Sequence, residues 1–452
     1  MNRFFKRKLY DRLLQWKNTR KGKTAILVEG ARRVGKSTLV KEFAQKEYES
    51  YILIDFNKAS KRVVSLFDDL MDLDFIFLQL QAIYNVSLVA RKSAIIFDEV
   101  QACPKARQAI KYLVEDGRYD YIETGSLISI TKNTKGITIP SEEERVAMYP
   151  LDYEEFRWAM GDTASIPLLK QFFDKRLMLG QAHRTKMREL RLYMLVGGMP
   201  QAVQKYIDTH SFEDTDRVKR QILTLYRNSI YDYAGNYAEK VASIFDQIPS
   251  QLQKHEKKFK LADLSKDARM RDYDSAFLWL KDAMIINTCY NTTEPSIGLN
   301  LKREDSSLKC YLADTGLLIS HAFDERGIIS EELYQKILKD KLEMNSGMLI
   351  ENIVAQMLKA SGHHLFFYSN NDREDKDSRM EIDFLIAKSK TTSRHNISPI
   401  EVKSTVRYTT TSLTKCIKKY DKYLATPYVI HAADLKIENG IEYLPLYMVP
   451  LL

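Results

Sequence analysis

Cysteine is scarce: the 452-residue chain has four, Cys103, Cys289, Cys310 and Cys416. They stand far apart, with no Cys-x-x-Cys pair, which argues against a disulfide scaffold and against a zinc ribbon. Adjacent His363 and His364 find no further His or Cys pattern to complete a metal site, and read as strand-edge residues. Uncharged apolar runs are also short, and none approaches the ~18 residues of a membrane span. No membrane partner is therefore expected. The opening MNRFFKRKLYDRLLQWKNTRKGK is basic but lacks the apolar core and small-residue cleavage site of a secretory signal. A reducing, cytoplasmic setting is the expectation. No internal repeat is visible.

What is present is globular. The chain is 44% hydrophobic and 29% charged, enough for several cores. At roughly 100–200 residues per domain it should hold two to four domains. Lys and Arg number 69 against 60 Asp and Glu, a net charge of +9. That permits a nucleic-acid or phosphate partner without establishing one.

Residues 1–20 have helical spacing. Apolar runs TAILVEG (24–30), YILIDF (51–56), SAIIFDEV (93–100) and YDYIETGS (119–126) read as strands, with helical patterns at 37–46, 75–86 and 108–116 between them. Strands alternating with helices imply a parallel sheet covered on both faces. Polar TKNTKGITIPSEEE (131–144) reads as an exposed loop. Residues from 148 to about 235 are mostly helical. A second α/β region begins near 346, with a helix at 347–362, strands at 364–369, 381–387 and 398–404, a helix at 412–424 and a strand at 427–432.

The strongest motif is GARRVGKS, Gly30 to Ser37, which fits G-x-x-x-x-G-K-[ST] between a strand and a helix. Gly30 and Gly35 let backbone N–H groups wrap phosphates without side-chain clash. Lys36 is placed to neutralise the β- and γ-phosphates of ATP, and Ser37, followed by Thr38 in the same helix start, to bind Mg²⁺. Arg32 and Arg33 lie within the loop, in reach of phosphate or a neighbouring carboxylate. AIIFDE sets Asp98 and Glu99 at the carboxyl end of a buried strand, facing the same crevice. Asp98 suits Mg²⁺, held through water, and Glu99 suits polarisation of the attacking water; a helix cap is the alternative reading of the pair. ETGS supplies Thr124 or Ser126 to contact the γ-phosphate, according to where the strand stops. Arg145 is a candidate arginine finger, in cis or across a subunit boundary, or else a solvated surface arginine.

GARRVGKS, IIFDEVQ, ETGS, MYPLDYEEF and LVGGMP, in this order and spacing, resemble the bacterial and archaeal AAA-type ATPases that carry a C-terminal DUF4143 domain; LADTGLL and GMLIENIVAQML extend the resemblance over nearly the whole chain. The resemblance implies a P-loop AAA-type core at 1–160, a helical region at 161–240, a winged-helix-like segment at 241–325 and a nuclease-like DUF4143 domain at 326–452. It also implies a homo-oligomer.

In the third segment, KLADLSKDARMRDYDSAFLWLKDAMIINTCY (260–290) reads helix, turn, helix, strand. Lys254, Lys257, Lys258, Lys260, Arg269 and Arg271 surround it, with Lys302 and Arg303 in a following wing. DNA contact is one reading and a packing module with a solvated basic face is the other. In the fourth, Asp383 (EIDFLIA), Glu401 and Lys403 (PIEVKS) have the D…E-x-K spacing of PD-(D/E)XK nucleases, with Glu351 on the preceding helix. Residues two apart on a strand share a face, so Glu401 and Lys403 should point together. Asp383 and Glu401 are candidate ligands for Mg²⁺ or Mn²⁺, with Lys403 positioning water for phosphodiester cleavage. A surface strand of alternating charge explains the pattern equally well. Two functions follow: an ATPase coupled to DNA or RNA binding or processing, or a nucleotide-dependent adaptor whose nuclease-like domain binds protein and does not cut.

Overall fold

The computed structural model describes residues 4–126, 138–254, 256–266, 268–323, 331–339, 346–370, 378–388, 395–405 and 407–452. It divides into two compact units, Met1–Leu151 with Asp282–Met284, and Asp152–Lys281 with Ile285–Leu452.

The first unit is a three-layer α/β domain. Its sheet is built from β1 (Ala25–Glu29), β2 (Ser50–Asp55), β3 (Ser93–Asp98), β4 (Asp120–Gly125) and β5 (Glu143–Ala147), in the order β2-β3-β4-β1-β5, every neighbour parallel. The helices are α1 (Lys8–Arg20), α2 (Lys36–Glu47), α3 (Lys61–Ser65), α4 (Leu73–Tyr84) and α5 (Pro104–Asp116). β1, β3 and β4 are buried almost throughout, which is why they read as unbroken apolar runs. Phe56, Phe67 and Phe97 meet edge to face, with centroids 5.3–5.8 Å apart, in the core beside β3. β5 differs from the expected loop: its first residues, Glu143 and Glu144, fall inside that segment and pair with Ala25 and Ile26.

The second unit joins a helical layer to an eight-stranded mixed sheet. Helices Tyr153–Ala159, Ser165–Asp174, Ala182–Val196, Pro200–Thr209, Phe212–Tyr233 and Ala238–Gln253 come first, then Met270–Asp282. The sheet contains β6 (Ile286–Thr292), β7 (Arg303–Leu312), β8 (Phe366–Asn370), β9 (Met380–Ala387), β10 (Ile397–Val402), β11 (Tyr428–His431), β12 (Lys436–Glu438) and β13 (Ile441–Pro445), in the order β12-β13-β11-β10-β9-β8-β6-β7. Two features differ from the winged-helix expectation. The first expected helix is only a 3₁₀ turn, Leu261–Asp263. The expected wing, β6–β7, is not free-standing, because β6 pairs in parallel with β8 through Tyr290–Phe366 and Asn291–Phe367.

Two motifs of the sequence interlock here. Asp314 caps helix Thr315–Ala322, accepting from Leu317 N at 2.8 Å, and its other oxygen accepts from Gly198 N at 2.6 Å. Gly197 has φ +81, and a Cβ there would lie 2.4 Å from Asp314 Oδ1. LVGGMP therefore needs Gly197 to admit the Asp of LADTGLL. Helix Ser346–Ala360 is fastened to β7 by Asn352, whose amide accepts from Leu312 N and donates to Leu312 O. Among the described residues, no helix is long and apolar enough to cross a membrane.

Candidate functional site

The turn between β1 and α2 is shaped by close packing. A Cβ on Gly30 would sit 2.4 Å from the carbonyl oxygen of Met148, and Gly35 has φ +98 at the N-cap of α2. Lys36 folds into the turn, its Nζ donating to the carbonyls of Gly30 (2.9 Å) and Ala31 (3.0 Å). It is buried, and that burial lowers its pKa to about 8 despite the opposing pull of Glu99 and Asp98.

Across the crevice, Asp98 ends β3. Its Oδ1 accepts from Ser37 Oγ at 2.7 Å and from Thr124 Oγ1 of β4. Thr124 Oγ1 in turn accepts from the backbone N–H of Glu99 at 3.3 Å. Glu99 has φ +54, uncommon for a non-glycine residue, and the Gln101 side-chain amide donates to its carboxylate. Thr124 is thus the residue of ETGS bonded to Asp98, while Ser126 is buried with its Oγ unpartnered among the described residues. Arg33 and Thr38 are exposed, and Arg32 is half-buried. Ser37 and Asp98 are hard oxygen donors from two elements, already adjacent, so the residues fit Mg²⁺.

Arg145 lies on β5 opposite Leu27, with its Nε 2.8 Å from Glu143 Oε1. Buried Arg107 of α5 grips the same Glu143 with two bonds, at 3.1 and 3.0 Å. Glu123 beside them is fully buried, and burial together with Glu143 pushes its carboxyl well above the usual range. The structure therefore gives Arg145 an intrachain partner.

Sequence reading missed Arg7. Its buried guanidinium donates to Val34 O at 3.0 Å and Tyr149 O at 2.6 Å, tying the segment before α1 to the phosphate loop and to MYPLDYEEF. A lone arginine ahead of a basic helix carries no pattern that marks such a role.

In the second unit, the carboxylates gather around a lysine that sequence reading also missed. Lys309 of β7 is 1% exposed, and its Nζ lies 3.3 Å from Glu351, 3.1 Å from Glu381 and 3.5 Å from Asp383. Lys257 and the Tyr311 hydroxyl both donate to Glu351. A bulge presents Asp383: between Phe366–Leu385 and Tyr368–Ile382, two steps on β8 meet three on β9. Ile382 and Leu385 both join the core with Leu413 and Cys416, while Asp383 reaches Lys309. The other Asp383 oxygen accepts from Val402 N at 2.8 Å. Glu401 and Lys403 pair with each other at 2.6 Å. Burial raises the Asp383 and Glu401 carboxyls, whereas Glu351, although buried, is drawn down to about 2 by Lys309 and Lys257. Among the described residues, no group of three or more His, Cys, Asp or Glu is disposed to hold a metal ion. Asp383 and Glu401, the ligands expected for a divalent ion, are thus each engaged within the chain, Asp383 by Lys309 and Val402 N and Glu401 by Lys403. His363 and His364 lie between helix Ser346–Ala360 and β8.

The basic residues of the expected DNA-reading segment are largely engaged. Lys254 pairs with Asp263, Lys257 with Glu351, Lys260 with Glu256, Arg271 with Asp272 and Lys302 with Glu294. Lys258 lies over the Phe367 ring, and Arg303 over Tyr290. Arg269 is described next to the helix Met270–Asp282.

Three family models match the chain. An AAA domain covers residues 22–157, a domain of unknown function, DUF8612, covers 187–326, and DUF4143 covers 346–449. The chain thus carries an AAA domain at its N-terminal end and a DUF4143 domain at its C-terminal end. No curated protein matches it. Among solved structures it is similar to C. elegans PCH-2 (13% identity, 47% of this chain and 65% of that one, TM-score 0.28). It is also similar to Drosophila ORC bound to DNA (13%, 73% and 94%, TM-score 0.28) and to Cdc6p from Pyrobaculum aerophilum (12%, 74% and 94%, TM-score 0.24). The chain spans just under two thirds of the PCH-2 chain.

Proposed function

We propose that this protein is a Mg²⁺-dependent ATPase whose turnover is coupled to engagement of nucleic acid. The observation that carries the ATPase reading is the meeting of Ser37 and Thr124 on Asp98, directly beside the Lys36 loop. Backbone N–H groups of the loop and the N-terminus of α2 receive the triphosphate. Lys36 exchanges two carbonyl acceptors for phosphate oxygens, which favour its charged form. Bound Mg²⁺ supplies neutralisation of the phosphate charge, and Ser37 and Asp98 would hold it. Glu99 orients and deprotonates the attacking water. Gln101 and Thr124 hold Glu99 in place, one through its carboxylate and the other through its backbone N–H. Ser126, with its buried hydroxyl, is the further polar group at the end of β4.

Nucleic acid is the partner favoured by the net charge of +9 and by the nuclease-like order of the C-terminal elements, helix, three strands, helix, strand. Engagement of protein by a nucleotide-dependent adaptor is the second reading. It is favoured by the ion-pairing of the basic residues between 254 and 302. ATP turnover measured with and without duplex DNA and RNA decides between them. Stimulation by nucleic acid that Glu99→Gln abolishes supports the first. Turnover indifferent to nucleic acid removes it, and no turnover under any condition removes the ATPase.

A further inference from the structure

We propose that the Lys309 ammonium is the resident cation of the C-terminal carboxylate cluster, so that this unit takes no divalent ion there and cuts no phosphodiester. The proposal does not depend on the nucleotide site.

Three carboxylates on two elements, Glu351 from helix Ser346–Ala360 and Glu381 and Asp383 from β9, repel one another unless a positive charge lies among them. The structure supplies that charge from within. Lys309 Nζ is 3.1–3.5 Å from an oxygen of each. A divalent ion demands oxygens at roughly 2.0–2.6 Å from a shared centre. Here the centre is a nitrogen, and the oxygens stand off at ammonium distance.

The lysine is held in place. β7 is paired with β6 through seven residue pairs, including Cys289–Lys309. Lys309 Nζ also lies over the Phe367 ring, 5.1 Å from its centroid. Lys309 itself is buried, 1% exposed. Three carboxylates face its charge at close range. Lys257 adds a second ammonium on Glu351, leaving two positive charges against three negative ones. The other Asp383 oxygen accepts from Val402 N, and Lys403 is paired to Glu401.

What the cluster does is mechanical. It pins the β6–β7 hairpin, the helix Ser346–Ala360 and the β9 bulge to one another with charge-assisted bonds in a buried setting. The surface of the unit remains available for binding, without cleavage.

The test is Mn²⁺ binding to the full chain without nucleotide, counted by electron paramagnetic resonance, for wild type, Asp383→Asn, Lys309→Ala and the Lys309→Ala/Asp383→Asn double variant. The wild-type and Asp383→Asn isotherms should superimpose. Lys309→Ala should gain one Mn²⁺ per chain, and the double variant should lose it again. Plasmid DNA should stay uncut by wild type with Mn²⁺. A wild-type Mn²⁺ site lost in Asp383→Asn, cleavage that depends on Asp383, or a folded Lys309→Ala chain with no added site each overturns the proposal. If Lys309→Ala does not fold, the wild-type and Asp383→Asn comparison decides alone. ATP turnover of the same wild-type preparation reports on the N-terminal site separately.

Discussion

Ser37 Oγ stands 2.7 Å from Asp98 Oδ1, so the two oxygens proposed to hold Mg²⁺, one from α2 and one from β3, are side by side. Thr124 holds Asp98 from behind. Partners of this outer kind typically carry about 10–100-fold in metal affinity or activity. Thr124→Val should therefore raise the Mg²⁺ concentration for half-maximal turnover by about that factor while the chain stays folded. A Mg²⁺ titration of ATP turnover, with circular dichroism as the folding control, measures it.

If Lys36 receives phosphate as proposed, ATP affinity should depend on pH. The Lys36 value near 8 lies below the ordinary lysine value of 10.5 because burial disfavours the ammonium. Folding thus carries the penalty of a buried charge below pH 8, and this penalty is relieved as pH rises from about 8 toward 10.5. Phosphate acts oppositely, stabilising the ammonium, so binding takes up a proton once the free loop has lost it. ATP affinity should fall as pH rises through 8. Calorimetry at pH 7 and 9, in buffers of different ionisation enthalpy, should show proton uptake only at the higher pH. Lys36→Ala should bind weakly at both.

Glu99→Gln keeps the size of the side chain and the Gln101 contact surface but removes the proposed base. Turnover should fall by about 10²–10⁴-fold, the usual weight of a general base, with ATP binding changed little. Wild-type turnover in Glu99→Gln would show that another group takes the proton.

Arg107 and Arg145 share Glu143 but not its environment. Arg107 is 2% exposed and Arg145 37%. Arg107→Met leaves the buried Glu143 side chain only its bond from half-exposed Arg145 and should cost about 1.5–3 kcal/mol in urea unfolding. Arg145→Ala leaves Arg107 in place and should cost under about 1 kcal/mol.

Much of the first unit was legible because buried parallel strands write themselves as apolar runs. The strand expected at 24–30 is Ala25–Glu29, and the helix expected at 37–46 is Lys36–Glu47. β5 was not legible, since an edge strand paired on one side tolerates Glu143, Glu144 and Arg145 and shows no apolar alternation. The pair Glu401–Lys403 followed from the strand period alone. Lys309 did not, because its partners lie 42 and more residues away and nothing local announces them. One signal was there: a lysine inside Leu308–Lys309–Cys310–Tyr311–Leu312, where a solvated strand face would not place it. Asp383 could be located on its strand but not aimed, since a bulge depends on the neighbouring strand's register.

The eight-stranded sheet has a consequence for how this protein can be divided or recombined. The family match at 187–326 contributes β6 and β7, and the match at 346–449 contributes β8 to β13, yet the seam between β6 and β8 is a hydrogen-bonded pair. A segment excised at residue 346 would bare the edge of β8 and strand Glu351 without Lys309, inviting self-association through the open edge. Transplanting either segment into another chain would fail for the same reason. The two must be inherited together, and a chain severed between residues 326 and 346 should purify as one non-covalent pair.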